Sequence, residues 1–274
     1  MMYIILGRLT QFFYLIEITL LLVAFEKQEK IWQSLGEKLV HVCVFSHFLF
    51  LSALWYEAGL DSFKTRSGAL ILFSFLVILA YIVSSKGPKV KNIGIFIYLF
   101  VFLCISVSFV QLFKEPSSLV SSVVPKIWLI GHVGLALTGE ACFLLAAVFS
   151  LFYLFEEEAI KKKHRLPFAL RLPPLKLLED VSIIFLKVGF LVISVGILIG
   201  SYFATKAFGK IWIIEPKQVL IILVWLIYGF LLAFRFVFNF DGKRIAIWSL
   251  SGFSLLILAT IGVSFCPVGF HRFI

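Results

Sequence analysis

VSIIFLKVGFLVISVGILIGSYF, Val181–Phe203, holds a single charged side chain, Lys187, in twenty-three residues. About 20 consecutive apolar residues are needed for a helix to cross the hydrocarbon of a bilayer. The run shows no apolar–polar alternation with a period of two, so a membrane-spanning strand is excluded. The whole chain has the same character. Of its 274 residues 61% are hydrophobic and 15% charged, and its mean hydropathy is +1.06. Soluble domains run at about 45–50% apolar and about 25% charged. An integral membrane protein follows, and a disordered chain, a coiled coil or a disulfide scaffold does not.

Comparable runs fall at 2–24, 38–55, 69–84, 93–113, 127–155, 217–238 and 245–265. With 181–203 they predict an all-α, polytopic bundle of eight transmembrane helices. Lipid offers the backbone no hydrogen-bond partner, so each run must cross as a helix. The third run is the shortest. The first lacks a small-x-small cleavage site and is long enough to span, so it reads as a span and not as a signal peptide. Residues 1–274 are expected to form one integral membrane domain, with helices 1–4 in 1–113 and helices 5–8 in 114–274.

The net charge is +10. In a soluble protein such an excess suggests nucleic acid; here it reports basic loops at an anionic membrane surface, and no nucleic-acid partner is expected. The odd-numbered loops carry thirteen Lys and Arg, the even-numbered loops six. The positive-inside bias places the odd loops in the cytoplasm and both termini outside, on the periplasmic side of a bacterial cytoplasmic (inner) membrane. Loop five, Glu156–Asp180, is the longest and most charged. Its start, EEEAIKKKHR, reads as a helix extension carrying acid–base pairs at i, i+4, broken by the prolines that follow.

Ionisable groups inside spans are costly and need a partner or a task. Glu17 and Lys187 lie at matching depth, about seven residues from the inner ends of their helices. They are candidates for an intramembrane ion pair or for a proton relay, with snorkelling of Lys187 to the inner surface as a further reading. Glu140 lies deeper, near the middle of helix five. Arg8 and Arg235 sit near span ends, where snorkelling explains them. Cys43, Cys104, Cys142 and Cys266 show no metal-ligand spacing. Three of the four lie inside apolar runs and read as small buried residues.

The five histidines divide by position. His164 falls in the basic loop, and His41 and His47 on helix two. His132 begins helix five and His271 follows helix eight, both on the outer side. Neutral imidazole is a good ligand for haem iron, and two imidazoles can fill both axial positions. Between helices six and seven lies SYFATKAFGKIWIIEPKQV, Ser201–Val219. It contains Tyr202, Phe203, Phe208 and Trp212 with Lys206, Lys210 and Lys217. This composition fits an interfacial aromatic belt, or an apolar platform for a flat ring with cations for its anionic substituents.

Four segments give a family resemblance. PKIWLIGHVGLALTGEACFLLAAVFSLFYLFEEEAIKKK, Pro125–Lys163, is similar to the span of the cytochrome c assembly (CcsA/CcmC/HemX-like) proteins that begins with an outer histidine. RLPPLKLLEDVSIIFLKVGFLVISVGILIGSYFA, Arg171–Ala204, resembles the LPPL start and GxxxG span of the HemX-like branch. GKIWIIEPKQVLIILVWLIYGFLLAFR, Gly209–Arg235, resembles the tryptophan-rich "WWD" loop, usually WxWDPKE, and the span after it. PVGFHRF, Pro267–Phe273, is similar to the terminal GLHSY. The resemblance covers the C-terminal half in order and the N-terminal half more loosely.

The resemblance implies haem b bound at the outer face. His132 and His271 would be the axial ligands of its iron, beside a platform at Trp212, Ile213, Ile214, Glu215, Pro216 and Lys217. His47 matches an intramembrane haem-ligand position, with Gly59 as the outer glycine after it; the partner position is Ala233. The loop departs from the family pattern: Ile214 replaces a tryptophan, Glu215 an aspartate and Gln218 a glutamate. No catalytic residue is implied. The implied function is haem presentation for cytochrome c maturation, with a cytochrome c assembly partner and apocytochrome c as partners. An alternative is a HemX-like membrane regulator of a tetrapyrrole-synthesis enzyme, docking through loop five. A proton-coupled small-solute transporter using Glu17, Glu140 and Lys187 is a third reading. It lacks the paired, broken spans of transporter halves.

Overall fold

The computed structural model describes residues 2–27, 30–84, 91–112, 126–163, 172–208, 216–238 and 241–265. Among these every long element is a helix: α1 (Met2–Lys27), α2 (Lys30–Ala58), α3 (Arg66–Ser84), α4 (Lys91–Leu112), α5 (Lys126–Lys161), α6 (Leu175–Phe208), α7 (Pro216–Phe238) and α8 (Gly242–Phe265). All eight are long and apolar enough to cross a membrane. The surface is the reverse of a soluble protein's. Leu191, Leu198, Phe230 and Phe236 are exposed, as they must be where lipid replaces water.

The helices outrun the apolar segments at several ends. α2 starts at Lys30 and α6 at Leu175, whereas the runs start at 38 and 181. Charge ends an apolar run but not a helix, since Lys, Glu and Gln are good helix formers. The Glu157–Lys161 and Glu158–Lys162 pairs, at 2.6 and 2.5 Å, carry α5 past its apolar core in the expected i, i+4 pattern. The Pro174 carbonyl accepts the N–H groups of Leu177 and Leu178 as α6 begins. Asp241 caps α8 by accepting the Arg244 N–H through Oδ1 at 3.0 Å.

The helices form two compact units, α1–α4 and α5–α8. In the first, α1 packs on α2 and α4, and α3 on α4. Gly59, at φ 73°, ends α2 in a conformation that favours glycine. A short 3-10 turn, Leu60–Lys64, which the apolar pattern does not reveal, leads into α3.

In the second unit, α5 packs on α6 and α8, and α7 on α8 and α6. Gly242 at the start of α8 faces Tyr153 near the end of α5. Arg235 near the end of α7 pairs with Glu179 near the start of α6 at 2.7 Å. These contacts make each neighbouring pair antiparallel. The starts of α5 and α7 and the ends of α6 and α8 therefore share one end of the unit, and the Glu157, Glu179, Arg235 and Lys243 side chains occupy the other. Between the two ends, the Phe143 and Tyr228 rings meet tilted, with centroids 4.0 Å apart, and the Tyr228 hydroxyl donates to the Ser249 carbonyl at 3.1 Å.

Candidate functional site

His132 stands in the second turn of α5, at the end of the unit where α6 finishes and α7 begins. Its ring lies against α6 over a Gly196-x-x-x-Gly200 step, a spacing that lets a helix surface be approached closely. A Cβ on Gly200 would sit 2.7 Å from His132 Cε1 and 3.0 Å from Nδ1. Nδ1 is 3.0 Å from the Gly196 carbonyl oxygen. A carbonyl can only accept, so Nδ1 carries the proton and donates it. In the neutral ring the lone pair then belongs to Nε2. Metal-binding histidines are commonly oriented this way, by a hydrogen bond from the other ring nitrogen. The GxxxG motif is visible in the sequence; its use as the seat of His132 requires the α5–α6 register, which sequence spacing does not contain.

The two helices that bear this arrangement meet through small residues. Gly139 of α5 faces Ile193 and the Gly189 carbonyl, and Gly189 faces Phe143 and Cys142. Next along the seam, Ser150 and Ser182 are hydrogen-bonded at 2.9 Å. Across α6 and α7, Trp225 donates its indole N–H to Ser194 Oγ at 2.7 Å and stacks on Phe190.

The aromatic segment expected as a loop is partly helix. α6 continues to Phe208, with the Ser201 and Thr205 hydroxyls returned to carbonyls four residues earlier. Tyr202 and Phe203 meet edge to face at 5.2 Å, and the Lys206 ammonium lies 5.9 Å from the Tyr202 ring centre. Pro216 opens α7 with Lys217 next, a position where proline lacks no needed donor. Trp212, Ile213, Ile214, Glu215 and His271 lie outside the described residues, as do the side chains of Pro216 and Lys217. The structure thus places the starts of α5 and α7 and the ends of α6 and α8 at one end of the unit, with His132 among them.

The first unit holds His47, fully buried. Its Nδ1 lies 3.3 Å from the Tyr14 hydroxyl, its ring meets Phe75 edge to face, and Nε2 has no hydrogen-bond partner. Tyr14 is a neighbour that sequence reading missed. It stands in an apolar run, where tyrosine passes as bulk.

Two expectations about charged groups, those for Arg8 and Arg235, need correction. Glu17 is buried in the first unit with Oε2 unpartnered, and among the described residues it forms no ion pair. Lys187 is exposed on the second unit, its ammonium 4.9 Å from the Phe236 ring centre. Glu17 and Lys187 thus belong to different units. Arg8 does not simply snorkel: it donates to Gln11 Oε1 at 3.0 Å and covers the Phe109 ring. Arg235 is held by Glu179. Glu140 is half-buried on α5. Cys43, Cys104 and Cys142 are buried free thiols, as their apolar surroundings suggested.

Comparison with known proteins agrees with this architecture. The model of the family described as cytochrome C assembly protein matches residues 10–271. The cytochrome c biogenesis protein CcsA of Guillardia theta is 23% identical over 243 residues, covering 82% of this chain and 80% of that protein. The CcsA protein of Heterosigma akashiwo (strain NIES-293 / 8280G21-1) is 24% identical over 260 residues, with 82% and 80% coverage. A more similar stretch, 33% identical over 96 residues, is shared with the CcsA protein of Prochlorococcus marinus (strain NATL1A), and there the chain spans 30% of the relative's length. The family match runs from α1 through His47, His132 and the α6–α7 connection to His271, and takes in all or part of the eight helices that, among the described residues, are long and apolar enough to span a membrane. This multi-pass membrane protein therefore belongs to the cytochrome c assembly protein family.

Proposed function

We propose that the protein binds haem b at the end of the second unit where α5 begins, and presents it for attachment to an apocytochrome c. The observation that carries the reading is the His132 ring, seated on Gly196 and Gly200 with its Nδ1–H donated to a carbonyl. This is the tautomer and orientation an axial ligand needs. His271 would be the second ligand. Trp212, Glu215, Pro216 and Lys217 would flank the macrocycle, with Lys217 suited to a propionate. Haem supplies the group that is transferred, and the protein's own part is to bind, orient and shield it. A cytochrome c assembly partner and apocytochrome c are the macromolecules that this role requires. His47, with an unpartnered Nε2, is a candidate for a second, intramembrane haem contact. The test is the visible spectrum of the detergent-purified protein. Haem should co-purify, and the His132→Ala/His271→Ala variant should lose most of it. Unchanged haem content in that variant would sink the assignment.

The same reading places this end of the second unit outside a bacterial inner membrane and the two units within one membrane domain. The cation asymmetry of the loops supports this orientation. Reporter fusions after Lys163 and after Lys243 should be active only with a cytoplasmic reporter, and a fusion after Lys206 only with a periplasmic one. The opposite pattern would invert the topology and place His132 on the wrong side.

A further inference from the structure

The buried face of α1 is unusually polar for a helix packed among spans. Thr10, Gln11, Tyr14 and Glu17 are all buried there. Arg8, near the N-terminal end of the helix, donates to Gln11 Oε1 at 3.0 Å, and Gln11 Nε2 donates to Ser106 Oγ of α4 at 3.0 Å. One position away, the Thr10 hydroxyl meets Ser46 Oγ of α2 at 2.7 Å. A turn further on, the Tyr14 hydroxyl lies 3.3 Å from His47 Nδ1. The polar row ends at Glu17. From Arg8 to Glu17 it runs about 14 Å at the helical rise per residue, and beyond Glu17 the buried residues of α1 are Ile18 and Ala24.

Two atoms of this row lack partners. Glu17 Oε2 and His47 Nε2 are buried without a hydrogen bond, in side chains that are 1% and 0% exposed. Glu17 Oε1 would lie 3.4 Å from a Cβ on Gly36, so the carboxyl reaches the α2 backbone across a position with no side chain. Among the described residues, the ionisable neighbours within electrostatic range of Glu17 are Tyr14 on its own helix, Cys43 on α2, Tyr81 on α3 and Tyr98 on α4. None of them is a cation. A carboxylate kept in an apolar interior with no counter-ion and an open lone pair is far too costly to be structural filler. A proton on Oε2 removes the charge and supplies the missing donor.

We infer that Glu17 is a membrane-buried proton-binding carboxyl, loaded from the Arg8 end of α1 along the hydroxyl and amide row of Thr10, Gln11 and Tyr14. In the loading step a proton from water at that face passes along the row to Glu17 Oε2, where carboxylate becomes carboxylic acid; unloading is the reverse. No electron moves and no other bond changes. The site belongs to the first unit and is independent of haem binding by His132.

Infrared spectroscopy of the full-length, detergent-purified protein tests this directly. A protonated carboxyl gives a C=O stretch that moves to lower frequency in D2O. We expect one such band at neutral pH that disappears in Glu17→Gln and persists, displaced, in Glu17→Asp. Tyr14→Phe should keep the band and slow its H-to-D shift by roughly tenfold, the size expected if one hydroxyl of the relay contributes about 1.4 kcal/mol to the barrier. Absence of any Glu17-dependent carboxyl band in folded protein would overturn the site. An unchanged exchange rate in both Tyr14→Phe and Gln11→Leu would overturn the route. Co-purified haem should be unaltered in Glu17→Gln, so failure here is distinguishable from failure of the haem assignment.

Discussion

A methyl group at position 200 is expected to lower haem affinity by about 10–100-fold, the range seen when the outer partners of a metal ligand are disturbed. In Gly200→Ala the new Cβ would sit 2.7 Å from His132 Cε1 and 3.0 Å from Nδ1. Both are ring atoms, and the ring is rigid, so it must swing away as a body. That movement breaks the 3.0 Å hydrogen bond to the Gly196 carbonyl and with it the device that selects the Nε2 lone pair. Alanine is a better helix former than glycine, so α6 itself has no reason to unravel. Gly134→Ala on α5 is the matched control, because nothing lies within 4 Å of its added Cβ. The measurement is haem titration into apoprotein, with the Soret maximum as a second readout. Unchanged affinity and spectrum in Gly200→Ala would show that the ring seat has no part in ligation.

What could be read from sequence, and what could not, follows from the range of each interaction. Eight spans are legible because the bilayer demands about 20 apolar residues for each, a requirement local to one stretch. The i, i+4 pairs at the end of α5 are local too, and both form. The apolar pattern falls short of a helix end wherever a helix former carrying charge continues the turn, as at Lys30 and Lys176. The helical part of the aromatic segment after Ser201 is hidden for a related reason: interface residues look alike whether the backbone is coiled or not. Partners across helices were not legible. Glu17 and Lys187 share a depth but belong to different units, and Tyr14 reaches His47 only through the α1–α2 register. At the candidate site, His132 and the glycine pair were each visible as residues. Their meeting depends on how α5 and α6 slide against one another, which no spacing within either helix reports.

That register is itself set by a few small residues, and Gly139 is where it should break most sharply. A Cβ at 139 would lie 2.2 Å from Ile193 Cγ1, 3.0 Å from Cδ1 and 3.3 Å from the Gly189 carbonyl oxygen. Ile193 is β-branched and buried at 6% exposure, so its Cγ1 has few rotamers to retreat into. The carbonyl on the other side belongs to the helix backbone and cannot rotate away. Gly139→Ala must therefore push α5 and α6 apart, losing contacts along the Gly189–Phe143 packing. Overpacking of this kind costs about 1–3 kcal/mol, and we expect the detergent-solubilised protein to melt several degrees lower. Ile193→Ala alone should also destabilise, by leaving a cavity. Combined, the two should cost less than their sum, because the alanine at 193 vacates the space that the new methyl at 139 needs. Since the same seam carries His132 to Gly196 and Gly200, Gly139→Ala should also weaken haem binding, and Ile193→Ala should restore it in the double variant. Additive losses in both melting temperature and haem affinity would mean that Gly139 and Ile193 do not share this space, and that the site is held by contacts other than the α5–α6 seam.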